Sequence, residues 1–218
     1  MKKITIITPT YNRAKTLPKV FESLLKQSFK DFIWIILDDG STDNTTEVVE
    51  NFQLFNPFFE IIYKKDKNRH KFLTVLEGVK MVKTPYFMVV DSDDIYPEDA
   101  LETLISEVEK IENQDNYVAV MGLSADENGK IVGNQYPNNG FDGSIFEMRY
   151  KHKVRGDKFG IFITKTYQRE VSDKDFSHYE GKGYIPQCVI FNEYDAKGIK
   201  SRFVNKIVRF YLKDDDDA

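Results

Sequence analysis

Over the first half of the chain, short apolar runs alternate with segments whose apolar residues recur every three to four positions. Ile4 to Thr8 reads as a strand, and Leu17 to Gln27 reads as a helix with Leu17, Val20, Phe21, Leu24 and Leu25 on one face. The series continues with a strand at Phe32 to Leu37, a helix from about Asn44 to Phe52 and a strand at Phe59 to Tyr63. A helix over Phe72 to Val82, a strand at Tyr86 to Val90 and a strongly patterned helix at Glu98 to Ile111 follow. This βαβαβαβα order predicts an α/β fold, a mostly parallel sheet with crossover helices on its faces. Beyond Asn116 the pattern changes. Tyr117 to Leu123 reads as another strand, and Asp126 to Gly143, rich in Asn, Gly and Asp, as a hairpin or loops. A strand near Phe159 to Ile163, a helix near Ile185 to Tyr194 and a β-like run at Phe203 to Tyr211 complete the prediction.

Composition narrows the class without changing that picture. The 218 residues fit one domain, and 41% hydrophobic with 30% charged residues is ordinary for a folded globular chain. A net charge of -4 disfavours a nucleic-acid partner, which usually meets a basic face. Cys188 is the only cysteine, so no intramolecular disulfide can form and a buried, inert thiol is expected. The apolar run after Met1-Lys2-Lys3 is too short for a signal peptide, and no stretch approaches the roughly 20 apolar residues that cross a bilayer. Asp214 to Asp217 read as a solvated acidic tail.

In open parallel sheets ligands bind beyond the carboxyl ends of the strands, where loops converge and helix N-termini point inward. Three polar clusters fall at such ends: Thr8 to Arg13 after the first strand, Asp38 to Asp43 after the second, and Asp91 to Asp94 after the fourth. Asp38-Asp39-Gly40-Ser41 can be a turn with Asp43 as a helix cap. A cap needs one acid only, and two adjacent carboxylates repel unless something binds them, so one of the pair is expected to contact a ligand. Asp91-Ser92-Asp93-Asp94 concentrates three carboxylates in four residues. In an extended segment Asp91 and Asp93 project to one side, and oxygen-only ligation suits Mg²⁺ or Mn²⁺ completed by phosphate oxygens and water. The plain alternative is a solvated turn capping the next helix, and Asp94 and Glu98 can be that alone. An acidic site reconciles with an anionic diphosphate through a bridging dication.

Together, Thr8-Pro9-Thr10-Tyr11-Asn12, Asp38-Asp39-Gly40-Ser41 and Asp91-Ser92-Asp93 resemble the signature of the family-2 glycosyltransferases of the GT-A fold. The similarity is strongest over residues 3 to 105. The resemblance implies that Pro9 and Tyr11 hold the base, with a packing aromatic as the alternative for Tyr11, that Asp39 with Asp38 beside it hydrogen-bonds the base, and that Asp91 and Asp93 form the DxD motif, with Thr10 and Ser92 also facing the nucleotide. Asp93 would ligate Mn²⁺ or Mg²⁺, with Asp91 on the metal or the ribose. Lys65 to Lys83 is similar to a subgroup pattern of an Asn, two Gly and a Lys; Asn68 and Lys71 are kept, while Arg69 and His70 replace the glycines. Lys71 is then a diphosphate contact, with a plain surface lysine as the alternative. Glu180-Gly181-Lys182-Gly183-Tyr184-Ile185-Pro186, Gly156-Asp157-Lys158 and Phe203-Val204-Asn205 resemble the subgroup's C-terminal part. The family's base often lies in a Glu-Asp pair that is missing here. Glu180 is the nearest match, and Asp173, Asp175 and Glu193 are the alternatives.

The implied reaction is an inverting transfer from a nucleoside-diphosphate sugar, expected to be a UDP-sugar, to a saccharide or lipid-linked acceptor in bacterial surface polysaccharide or lipopolysaccharide synthesis. Residues 1 to 115 would form the nucleotide-binding half, 116 to 212 the acceptor half and 213 to 218 the tail. A cytoplasmic protein, with at most peripheral membrane association and a homodimer allowed, completes the expectation. Three rivals are weighed. A nucleotidyltransferase usually has a Gly-rich loop after its first strand, which Thr10 to Arg13 lacks. A phosphoacceptor signalling domain would carry its acidic pair after strand one, and a non-catalytic sugar-nucleotide binder would explain the missing Glu-Asp pair.

Overall fold

The computed structural model of the chain describes residues 2–56, 58–182, 185 and 188–212. Gly183, Tyr184, Pro186, the acidic tail and the side chain of Cys188 lie outside the described residues. The chain runs β1 (Ile4–Thr10), α1 (Leu17–Lys26), β2 (Phe32–Asp38), α2 (Thr45–Phe55), β3 (Glu60–Lys65), α3 (Lys71–Met81), β4 (Tyr86–Val89) and α4 (Ala100–Glu109). It continues with β5 (Tyr117–Asp126), β6 (Phe141–Gly143), a π-helical turn (Glu147–Lys151), β7 (Lys158–Ile163), α5 (Thr164–Val171), α6 (Cys188–Ala196) and β8 (Lys200–Tyr211).

These strands form one sheet in the order β3, β2, β1, β4, β7, β5, β8, β6. β1 pairs in parallel with β2 and β4, β2 with β3, and β5 with β8, whereas β7 is antiparallel to both β4 and β5 and β6 is antiparallel to β8. The sheet is therefore mostly parallel, and continuous across residue 116.

Both faces are buried, which explains why the strands read as nearly unbroken apolar runs. Phe32, Trp34 and Ile36 of β2 enter one core with residues of α1, α2 and α4, and Ile35 and Leu37 enter the other with residues of α3, α5 and α6. α3 lies close on the sheet because position 78 is glycine: a Cβ there would come 2.7 Å from Ile7 and 2.8 Å from Leu37. That contact sets the N-terminus of α3 over the strand ends.

The expectations fail in three places. Residues 164–171 form α5, which the pattern did not predict, because its buried side chains include Thr164, Thr166 and Glu170 rather than an apolar stripe. Glu170 is buried yet paired with Arg169 at 2.9 Å and with Lys197. β5 continues to Asp126 and closes a tight turn through the Asp126 amide on the Lys130 carbonyl at 2.8 Å. The helix expected at Ile185 to Tyr194 begins at Cys188 and ends at Ala196.

Candidate active site

The register fixes the site before any side chain is considered. Thr10 at the end of β1 pairs with Asp38 at the end of β2, and Asp38 with Lys65 at the end of β3. The carboxyl ends of these three strands are level, and β4, whose Val89 pairs with Ile7, runs parallel on the other side of β1, so the loops after all four emerge at one edge of the sheet.

The loop after β1 is stapled to the loop after β2. The Asn12 amide donates to Ser41 Oγ at 2.9 Å, and Asn12 Oδ1 accepts from the Thr42 and Asp43 amides at 2.8 and 3.3 Å. Asn12 adopts φ 54, a conformation Asn tolerates better than most residues. Asp43 accepts from the Ala14 amide and from both the amide and hydroxyl of Thr45, the first residue of α2, although the N-cap position itself falls on Asn44. Pro9 and Thr10 are buried in β1, while Tyr11 is 46% exposed and faces out of the protein at the edge of this loop.

Asp38 and Asp39 are both buried, and the protein's own donors offset their repulsion. Asp38 accepts from the Ser41 amide at 2.7 Å and from the Tyr63 hydroxyl at 2.5 Å. Burial, and then the hydrogen bond to Asp38, push the Tyr63 hydroxyl up to about 12. Asp39 accepts from the Arg69 amide at 2.7 Å and from Thr74 Oγ1 at 2.9 Å. Their repulsion alone therefore does not call for a ligand. Gly40, at φ 87, sits where a Cβ would come 3.1 Å from the Asn68 amide nitrogen, so the β2 and β3 loops are packed together.

The loop before α3 explains the altered glycine positions. His70 has φ 70, a left-handed value that glycine adopts without strain and histidine does not. Asn68 accepts from the His70 amide at 3.2 Å and so braces that residue. Lys71 then starts α3 with its ammonium 2.6 Å from Asp91 Oδ1.

Ser92 and Asp93 form a turn rather than an extended segment, so the expected alternation does not apply. Asp91 meets Lys71, and Asp93 lies 3.5 Å from the Arg13 guanidinium on the β1 loop. Ser92 is buried between them. Asp94, expected to cap a helix, instead forms a buried ion pair with Arg209 of β8 at 3.2 Å. Arg209 also binds Asp157 at 2.6 Å, and Tyr211 donates to the same Asp157 oxygen at 2.5 Å. Main-chain bonds between Ile95 and Phe210 run in both directions at 3.2 and 2.8 Å, so the acidic loop is tied to β8 by backbone as well as charge. Burial pushes the Asp94 carboxyl up to about 7, against the lowering effect of Arg209. Burial also opposes the charge of Asp157, but Arg209 and Tyr211 outweigh it and hold that carboxyl below the usual range.

Asp91 and Lys71 line one end of a cleft of about 740 Å³, whose other walls include Asp157, Phe159, Phe191, Phe146 and Tyr150. Glu180 is placed differently: it lies 3.2 Å from Lys67 and borders a separate groove of about 410 Å³ between α3 and α5. Of its alternatives, Glu193 pairs with Lys174, Asp175 accepts from the Ser177 amide at 2.8 Å, and Asp173 is exposed.

The donors fit a dication completed by substrate oxygens. Among the described residues no three His, Cys, Asp or Glu side chains converge as a protein-only cage, whereas Asp91 and Asp93 supply the one or two carboxylates that Mg²⁺ usually takes beside phosphate. Sequence reasoning passed over Arg13, Tyr63, Thr74 and Arg209. Arg13 directly follows the first motif, and Arg209 is a charge within an apolar β-like run, which were the available signals.

Acidic loops at the ends of parallel strands, joined to an antiparallel strand and a C-terminal region across a cleft, define a transferase of the GT-A fold. The chain belongs to glycosyl transferase family 2, whose model matches residues 5–176. It is 26% identical over 218 aligned positions to the GalNAc(5)-diNAcBac-PP-undecaprenol beta-1,3-glucosyltransferase of Campylobacter jejuni, covering 97% of this chain and 65% of that protein. It is 29% identical to the poly(ribitol-phosphate) beta-N-acetylglucosaminyltransferase TarP of Staphylococcus aureus, covering 80% of this chain and 51% of the relative. The chain thus spans about half to two thirds of the length of these relatives. Its fold resembles that of S. aureus TarS 1-349 with a TM-score of 0.74 at 17% identity, over 96% of this chain and 60% of that one. It also resembles a Pyrobaculum calidifontis mannosyltransferase solved with GDP-Man and Mn²⁺, with a TM-score of 0.65 at 13% identity, over 99% and 58%. Among the described residues no helix is long and apolar enough to cross a membrane.

Proposed function

We propose that the chain transfers a sugar from a UDP-sugar to an acceptor hydroxyl with inversion, in the synthesis of a bacterial surface polysaccharide or lipopolysaccharide. The observation that carries this reading is the meeting of three strand-end loops at Asp91 and Lys71, on the wall of a cleft large enough for both substrates. Family membership supports the reaction class, and the TarS complexes with UDP and with UDP-GlcNAc support the donor class. The Campylobacter relative is named for a PP-undecaprenol-linked acceptor and TarP for poly(ribitol-phosphate), which favours a saccharide or lipid-linked acceptor here. A cytoplasmic protein, at most peripheral on the membrane and able to form a homodimer, fits that role.

In this reading Pro9, Thr10 and Tyr11 border the base, and Asp38 and Asp39 hold the loop that receives it. Asn68 and Lys71 stand at the N-terminus of α3, where the ammonium and the helix dipole favour a diphosphate. Asp93 and Asp91 would hold Mn²⁺ or Mg²⁺, which when bound supplies Lewis-acid neutralisation of the departing diphosphate. Lys71 and Arg13, now on the two carboxylates, are within reach of the same negative charge. Glu180 is proposed to take the acceptor proton. To do so it must leave Lys67 and turn from the groove between α3 and α5 toward the cleft, because an ion-paired carboxylate is the weaker base and this reading puts the acceptor in the cleft.

The test is a titration of the chain with UDP, with and without Mn²⁺, followed by release of UDP from UDP-sugars. Metal-enhanced UDP binding is expected. Binding of a nucleoside triphosphate with release of pyrophosphate would favour a nucleotidyltransferase instead. Glu180→Gln should lower kcat by about 10² to 10⁴-fold with UDP affinity kept; unchanged turnover would assign the base to another residue.

A further inference from the structure

Two exposed aromatic side chains line the same cleft as Asp91. Phe146 is 57% exposed and Tyr150 60%, with ring centroids 4.4 Å apart, and both line the cleft together with Arg149. The other rings of this region, Phe162, Tyr167 and Phe203, are buried. An apolar pair left in solvent beside a binding cleft marks a contact surface rather than core packing.

The pair is also rigidly presented. The Ile145 and Phe146 amides donate to the Asp195 carboxylate at 3.2 and 2.7 Å, and Ser144 Oγ accepts from the Glu147 amide at 2.9 Å. Glu147 in turn holds Lys151 at 2.7 Å, and Met148 is buried in the core. The turn is π-helical over Glu147–Lys151, a geometry often found at functional sites, and Lys153 just beyond it adopts φ 56. A segment fixed at so many points, yet displaying two rings outward, is organised for a ligand with a flat apolar face.

We infer that Phe146 and Tyr150 form a stacking platform for a sugar ring of the acceptor, with Arg149 beside them to donate to its hydroxyl or anionic groups. This rests on the glycosyltransferase reading. The occupant follows from continuity: the same cleft runs from the rings to Asp91 and Lys71, so a ring stacked there belongs to the molecule that approaches the donor from the acceptor half. The C–H face of a pyranose is apolar and its rim polar, which matches two rings flanked by a guanidinium.

Saturation-transfer NMR on the full chain tests this with UDP, the methyl glycosides of glucose, galactose and N-acetylglucosamine, and octyl glucoside below its micelle concentration. At least one methyl glycoside should receive saturation on its ring protons. The Phe146→Ala/Tyr150→Ala variant should reduce that signal by at least about fivefold, a loss of roughly 1 kcal/mol, with the UDP signal and Tm kept. Tyr150→Phe, which retains the ring, should restore it. A glycoside signal that survives in the double variant, or none in the wild type while UDP binds, overturns the platform. Saturation concentrated on the octyl chain overturns it in favour of a lipid-facing surface. Loss of the UDP signal in the wild type would instead sink the donor reading.

Discussion

The strand-end loops proposed to hold the donor and the region proposed to receive the acceptor are built by different means. At the donor end, contacts run between neighbouring loops and mostly join side chains to main-chain amides: Asp38 to Ser41, Asn12 to Thr42, Asp39 to Arg69. On the acceptor side, charged side chains meet across long stretches of chain, as Arg209 does with Asp157 and Asp94, and Arg202 with Asp142. Amide donors come free with the backbone, so a short motif suffices to build the first kind of site. The second kind needs two charged residues chosen together, and removing either leaves the other stranded in a low-dielectric interior.

That contrast can be broken by mutation, and the largest effect is expected where chemistry rather than packing is lost. Asp93→Ala should reduce UDP-sugar turnover by about 10² to 10³-fold while Tm changes little, because the side chain is partly exposed. Normal turnover in that variant would remove the metal from the proposal. Arg209→Met should act the opposite way, lowering stability by about 3 to 5 kcal/mol, or Tm by roughly 10 °C, as the buried Asp94 loses its cation and the more exposed Asp157 loses a charged donor. Calorimetry would detect it, and a shift under 2 °C, below about 1 kcal/mol, would show that the acceptor side does not depend on this pairing.

A third prediction concerns pH. Asp94 has its folded carboxyl raised to about 7 from 3.8, so between those values the folded state holds a proton that the unfolded state has released. Stability must fall as pH rises through that window. Asp94→Asn should flatten the decline by about 2 kcal/mol, read as the difference in Tm between pH 4.5 and 7. Asp157, held below its ordinary value, acts only in stronger acid and does not mask the effect. The smallest change is expected at the donor end: Tyr63→Phe removes one donor from Asp38 and should cost about 1 kcal/mol in urea denaturation. A loss as large as that of Arg209→Met would erase the distinction between the two regions.

The same contrast explains how much was legible beforehand. The first four strands and helices were read correctly because a two-faced sheet needs continuous apolar runs such as Phe32 to Leu37, and its crossover helices need one apolar side. Boundaries moved only slightly; β1 runs on through Pro9 to Thr10, where its register with Leu37 and Asp38 keeps it in the sheet. α5 was illegible because its interior face sets only Tyr167 and Val171 among two threonines and an ion-paired glutamate. Asp94 was misread because its partner is encoded far downstream in β8, where one arginine among apolar residues gave no sign of its target.

β8 is the last strand of this chain, yet it lies inside the sheet between β5 and β6. Its Arg209 reaches the loop that carries Asp91 and Asp93, through Asp94. The acidic loop therefore gains its anchor only when residues far downstream have joined the sheet, so its order is coupled to the insertion of β8.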